Sequence, residues 1–183
     1  MPAAPKLDER YTYANLLTWP EDERWELIDG VPYAMASPGT KHQRISGNLF
    51  WKLREYLEDK KCEVFSAPYD VRLNADKDDD TVVQPDLIVV CDPEIIDDKG
   101  CKGAPDLVIE ILSPSTSDKD RTKKFRKYRE AEVLEIWFLD PDTGTTDAYR
   151  FKNGKYDVDF YVADDIVPVG ILPGFEINMK DIF

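Results

Sequence analysis

The segment Leu107-Val-Ile-Glu-Ile-Leu112 is apolar on both faces except at Glu110. Such a run reads as a strand covered on both sides, because a half-exposed strand would alternate with polar residues. Leu134–Leu139 is a second run of this kind, and Ser117–Ala131 between them reads as a helix capped by Ser117 or Asp118. Strand, helical crossover and strand make a parallel pair. Val64–Leu73 and Val82–Cys91 add further β-rich runs. Two hairpins are expected, Arg24–Ala36 about Asp29-Gly30 and Thr146–Phe151 with Lys155–Val162 about Asn153-Gly154, where each pair supplies the positive φ angles of a type I′ turn. Tyr13–Trp19 suits a short helix stopped by Pro20. Lys41–Lys60 suits a longer one, with Ile45, Leu49, Phe50, Leu53, Tyr56 and Leu57 at helical spacing. The expectation is an α/β (α+β) fold, a mixed β-sheet core flanked by helices with N-terminal and C-terminal hairpins. One domain is expected over 11–183, after an extended or disordered stretch 1–10.

With 42% hydrophobic and 33% charged residues, the 183-residue chain has the composition of a globular protein. It offers no apolar stretch suited to a signal peptide or a membrane span, which points to the cytoplasm and to no membrane partner. Cys62, Cys91 and Cys101 lack paired metal-ligand spacing and are expected as reduced thiols. The net charge of −13 opposes a protein that grips phosphates over its whole surface. The charge is segregated, however. Lys119, Arg121, Lys123, Lys124, Arg126, Lys127 and Arg129 crowd one helix, while acids gather at 76–80, 92–98 and 157–165.

Glu110 breaks its apolar strand, and a carboxylate there is costly unless paired or bound to a metal. Pro85-Asp86 interrupts Val82–Val90 in the same way, and a central proline predicts a bulge or break. Asp106 and Glu110 share a strand face but lie roughly 13 Å apart, too far to hold one ion. Asp86 and Glu110 come from different strands, and neighbouring strands are about 4.8 Å apart, so this pair can share a hard cation such as Mg²⁺. The plain alternative is a pair of buried acids satisfied by backbone donors or basic side chains. A lysine two residues after Glu110 would complete a phosphodiester-cleaving site, but Leu112 stands there. Asp120, Lys124 and Tyr128 share one face of the following helix at i, i+4 and i+8, so Lys124 lies at the edge of the face turned to the sheet. Lys123, Arg126 and Lys127 point further outward. Asn74–Asp80 spaces its acids like a calcium loop but lacks the turn glycine and the closing glutamate.

Trp25-Glu-Leu-Ile-Asp-Gly30, Ser37-Pro38, His42-Gln43, Gln84-Pro-Asp86, Ala104–Thr116, Asp120-Arg121, Lys124, Tyr128-Arg-Glu130 and Trp137-Phe-Leu-Asp-Pro141 resemble the Uma-type restriction endonuclease family of the PD-(D/E)XK nuclease superfamily. The resemblance runs from about Tyr11 to Phe183. It implies a restriction endonuclease-like fold with Asp86 and Glu110 as metal-binding acids, and Lys124 as the lysine relocated from strand to helix. It also implies that Glu26 and His42 border the site. Glu132 departs from the pattern, where a glycine usually precedes the valine.

Metal-dependent hydrolysis of DNA is therefore the expected activity. Asp86, Glu110 and the Ile111 carbonyl would bind Mg²⁺, with Mn²⁺ as substitute, and Lys124 would stabilise negative charge. The rival is a non-catalytic interaction or nucleotide-binding module that keeps the nuclease fold. A homodimer is expected through the hairpin edge near Phe151, Tyr156, Phe160 and Tyr161.

Overall fold

In this computed structural model, residues 5–6, 8–20, 22–113 and 117–183 are described. The expectation for 1–10 falls partly outside them. The strands are β1 (Trp25–Ile28), β2 (Val31–Ala34), β3 (Glu63–Ser66), β4 (Asp70–Arg72), β5 (Val82–Val83), β6 (Leu87–Val90), β7 (Ile96–Asp97), β8 (Gly100–Cys101), β9 (Leu107–Ile111), β10 (Glu135–Asp140), β11 (Thr145–Lys152), β12 (Lys155–Val162), β13 (Ile166–Pro168) and β14 (Glu176–Asn178). The main helices are α1 (Tyr13–Leu16), α2 (Thr40–Leu57) and a composite α3 over 117–130.

The mixed α+β architecture is as expected, but the strands divide between two sheets. One has the order β2-β1-β5-β4-β8-β7 and the other β12-β11-β10-β9-β6-β3, while β13 and β14 pair separately. The division arises inside two runs that read as single strands. Val82–Cys91 breaks at Gln84-Pro85-Asp86, so β5 joins the first sheet and β6 the second. Pro85 has no N–H for a ladder, which makes it the natural place to change sheets. Val64–Leu73 divides likewise into β3 and β4, on either side of Ala67-Pro68.

β9 and β10 pair in parallel with α3 crossing between them, as the sequence predicts. One face of the second sheet packs Leu87, Leu107, Ile109 and Trp137 against Ile45, Leu49 and Leu53 of α2. The other packs Ile88, Val108 and Phe138 against Tyr128 of α3 and against Ile28, Val71 and Val83 of the first sheet. Both hairpin turns have the expected backbone, with φ of 52° and 73° at Asp29-Gly30 and 52° and 80° at Asn153-Gly154.

The α3 helix already includes Ser117 and Asp118, so neither is its cap. Its other end closes in a Schellman motif. The Val133 amide donates to the Tyr128 carbonyl (3.0 Å) and the Glu132 amide to that of Arg129 (3.1 Å). Glu132 takes the left-handed position at φ 57°, where a glycine would be unstrained. In β10, Glu135 is fully buried and accepts from Trp137 Nε1 (2.8 Å), Arg150 Nε (3.0 Å) and the Ile171 amide (3.0 Å), which ties the C-terminal segment to the sheet.

The cysteines differ from expectation. Cys62 and Cys91 are joined by a disulfide, and only Cys101 is a free thiol. The reason is register. β3 and β6 pair antiparallel with Glu63 opposite Val90, so the next rung brings the two cysteines face to face.

Candidate active site

The antiparallel pairing of β6 with β9 sets Leu87 opposite Ile109. The next rung sets Asp86, at the sheet change, opposite Glu110. Asp86 Oδ2 accepts from the Ile111 amide (2.7 Å) and lies 3.2 Å from His42 Nε2 in the first turn of α2. Asp106 is turned away, its carboxylate accepting from the Cys91 amide (2.7 Å) at the strand entrance.

Lys124 is 2% exposed, and its Nζ lies 2.5 Å from Glu110 Oε1 and 2.9 Å from Glu26 Oε1. Asp120 stands further off at 3.8 Å. A surface i, i+4 pair between Lys124 and Asp120 is thus displaced by a buried one with Glu110 and Glu26. Glu26, in β1, is fully buried and also receives the Gln84 amide (2.9 Å) and Lys119 Nζ (2.5 Å). Asp120–Lys124 is π-helical. Five residues in an α-helix would set Lys119 and Lys124 about 140° apart. The wider turn spaces i and i+5 about one turn apart and brings both ammonium groups to one carboxylate. Tyr128, fully buried one turn further on, donates its hydroxyl to Glu110 Oε1.

The two buried glutamates are tuned in opposite directions. Burial pushes Glu110 up to about 8, with Lys124 pulling the other way and the charges of Asp120, Asp86 and Glu26 adding to the rise. Burial would raise Glu26 too, but Lys124 and Lys119 together hold it down at about 2. Lys124 sits well above its ordinary value: burial lowers it, and the surrounding acids, Glu110 and Glu26 foremost, more than compensate. His42 is likewise raised, since contact with Asp86 outweighs its partial burial.

Glu26, His42, Asp86, Glu110, Lys119, Asp120 and Lys124 line one open cleft of about 240 Å³, together with Arg24 and Ser113. The five side chains singled out from sequence, Asp86, Glu110, Lys124, Glu26 and His42, meet there, as does Ile111. Tyr128, Lys119 and Gln84 complete the arrangement and were not singled out. Tyr128 was signalled only by its spacing of four from Lys124.

Among the described residues, no three His, Cys, Asp or Glu side chains cluster as a metal cage. The oxygen donors of Asp86, Glu110 and Ile111 nonetheless fit a hard divalent cation that keeps several waters. Burial pushes Glu110 up first and the neighbouring acids add to the rise, and a bound cation would oppose both. The basic residues of α3 are largely engaged. Arg121 pairs with Asp147 (2.5 Å), Arg126 with Asp29 (2.5 Å), and Lys127 with Asp29 and Glu130.

No helix among the described residues is long and apolar enough to cross a membrane. Comparison with known proteins gives a consistent family. Residues 13–180 match the Uma2 family, described as "putative restriction endonuclease". An uncharacterized protein of Synechocystis sp., slr1290, is 31% identical over 143 residues, covering 77% of this chain and 74% of that one. A second from the same organism, sll1609, is 29% identical over 119 residues, 64% and 66% of the two chains. The crystal structure of a putative nuclease of the DUF820 group from Anabaena variabilis superposes with a TM-score of 0.76 at 23% identity, over 94% of this chain and 97% of that one. That likeness establishes the fold, and the match over residues 13–180 places this chain in the Uma2 family of putative restriction endonucleases.

Proposed function

We propose that this chain hydrolyses DNA phosphodiester bonds with the help of a divalent cation, Mg²⁺ or in its place Mn²⁺. The observation that carries the reading is the position of Asp86, one residue before β6 and on the rung next to Leu87–Ile109, beside Glu110 of β9, with buried Lys124 2.5 Å from Glu110 at the floor of an open cleft. Asp86, Glu110 and the Ile111 carbonyl would hold the cation, which when bound supplies an acidified water and charge neutralisation at the scissile phosphate. Lys124 offers a fixed positive charge to a developing oxyanion. Glu26 holds that lysine from behind, Tyr128 holds Glu110, and His42 holds Asp86. In this reading residues 11–183 act as one unit, and a second copy of the chain is its macromolecular partner besides DNA.

A second reading is a non-catalytic module that keeps the nuclease fold. The net charge of −13 and the ion-paired state of the α3 basic residues favour it. Calorimetric titration of Mn²⁺ into the wild type, Asp86→Ala and Glu110→Ala separates the two. Uptake by the wild type that both folded variants lose supports the enzyme. A folded wild type that takes up no Mn²⁺ favours the module. Cleavage of single- and double-stranded DNA should then fall about 10²–10³-fold in Lys124→Met, the scale of removing one oxyanion donor.

A further inference from the structure

Among the described residues, the two six-stranded sheets end in four edge strands of unequal character. β2 is four residues long and carries Pro32, β7 has two residues, and β3 has four with exposed Glu63 at its start. Proline, shortness and charge are the usual guards against edge pairing. β12 is neither short nor interrupted by proline, and its charged residues, Lys155, Asp157 and Asp159, alternate onto the face opposite Val158 and Phe160. It runs eight residues in unbroken register with β11, with no bulge and no proline.

The free edge of β12 is chemically open. The Val162 amide donates to Asp165 Oδ2 (2.8 Å), and the Val162 carbonyl accepts from the Asp165 amide (2.9 Å). Backbone groups alternate sides along a strand, so Val158 and Phe160 turn their N–H and C=O to that same outer edge. No described residue takes them. The side chains above them are exposed as well, Phe160 at 71%, Val162 at 53% and Val158 at 38%.

We infer that β12 pairs antiparallel with β12 of a second copy of this chain, joining two six-stranded sheets into one across a two-fold axis. The argument for a second copy is self-complementarity. The row Tyr156-Val158-Phe160-Val162 is apolar at every position, so an antiparallel copy meets it apolar to apolar. Setting Val158 of one copy opposite Phe160 of the other satisfies all the free backbone groups of both residues. It leaves the two Asp159 side chains near the axis, each tied to its own Arg150 at 2.6 Å. The inference gives the second copy named above its contact surface, and it does not depend on the hydrolysis.

Sedimentation of the 183-residue chain over a wide concentration range tests it, with circular dichroism as the control for folding. The wild type dimerises. Phe160→Lys, at an exposed position, raises the dissociation constant at least about tenfold, as loss of a buried aromatic anchor does. Val158→Pro removes one outward N–H and has the same effect, while Phe160→Leu retains the dimer. A wild type that stays monomeric at every concentration overturns the inference. A dimer insensitive to both Phe160→Lys and Val158→Pro overturns it equally, because its contact then lies elsewhere.

Discussion

Replacing Glu26 by glutamine tests how far the first sheet, α3 and the candidate site depend on one carboxylate. In the wild type that group is fully buried and compensated by Lys124 at 2.9 Å, Lys119 at 2.5 Å and the Gln84 amide at 2.9 Å. Glutamine keeps an acceptor for the amide but leaves Lys119 without its carboxylate and Lys124 with Glu110 as its nearest one. Removing one partner of a buried ion pair costs about 3–5 kcal/mol. The retained Glu110 contact, at 2.5 Å, argues for the lower end. Proton linkage gives a second route to the figure. A carboxyl held at about 2 rather than its ordinary 4.5 contributes about 3 kcal/mol at neutral pH. Because the folded value is the depressed one, that contribution is complete above 4.5 and disappears as pH falls through 2. By about pH 3 less than half of it remains. Urea unfolding at pH 7 should therefore place the variant about 3 kcal/mol below the wild type, or about 6–12 °C lower in Tm for a chain of this length. The gap should narrow steadily between about pH 5 and pH 3. A gap under about 1 kcal/mol at pH 7, or one that stays constant as the pH is lowered, would refute the reasoning.

Three further expectations follow from features away from the cleft. Glu132→Gly relieves the left-handed residue of the Schellman motif and should raise stability by about 0.5–1 kcal/mol in the same unfolding assay; a loss would show that the side chain earns its place. Glu135→Ala leaves Arg150 only Asp159 and the Pro168 carbonyl and takes the acceptor from Trp137 Nε1 and the Ile171 amide, so it should cost about 3 kcal/mol, and a near-neutral result would contradict the buried network. Burial pushes the Cys101 thiol up to about 12, so the native protein should not react with a thiol reagent; in denaturant without reductant one thiol per chain should appear, and three would exclude the Cys62–Cys91 bond.

The sequence made Asp86 and Glu110 conspicuous because each interrupts an apolar strand, a signal carried by local pattern alone. The two glycine-bearing turns and the parallel β9–β10 pair were legible for the same reason. Glu26 was harder to weigh. In Trp25-Glu-Leu-Ile it resembles the polar member of a half-exposed strand, and its burial arises only when the first sheet packs against α3. The division into two sheets and the Cys62–Cys91 contact are non-local pairings, which no window of residues contains. Lys119 escaped notice because α-helical periodicity turns it away from Lys124, and nothing in Asp120–Lys124 announces a wider turn.

That wider turn makes the winding of the segment matter more than its composition. Deleting one residue between Asp120 and Lys124 would give a more regular helix with every donor and acceptor in ordinary order. It would also leave Lys119 and Lys124 four residues apart, about 40° around the helix axis and still on one face. Keeping all five residues but winding them as a regular α-helix would instead set the two lysines about 140° apart and part them from their shared glutamate. Here an irregular helix is the means by which two cations reach a single buried anion.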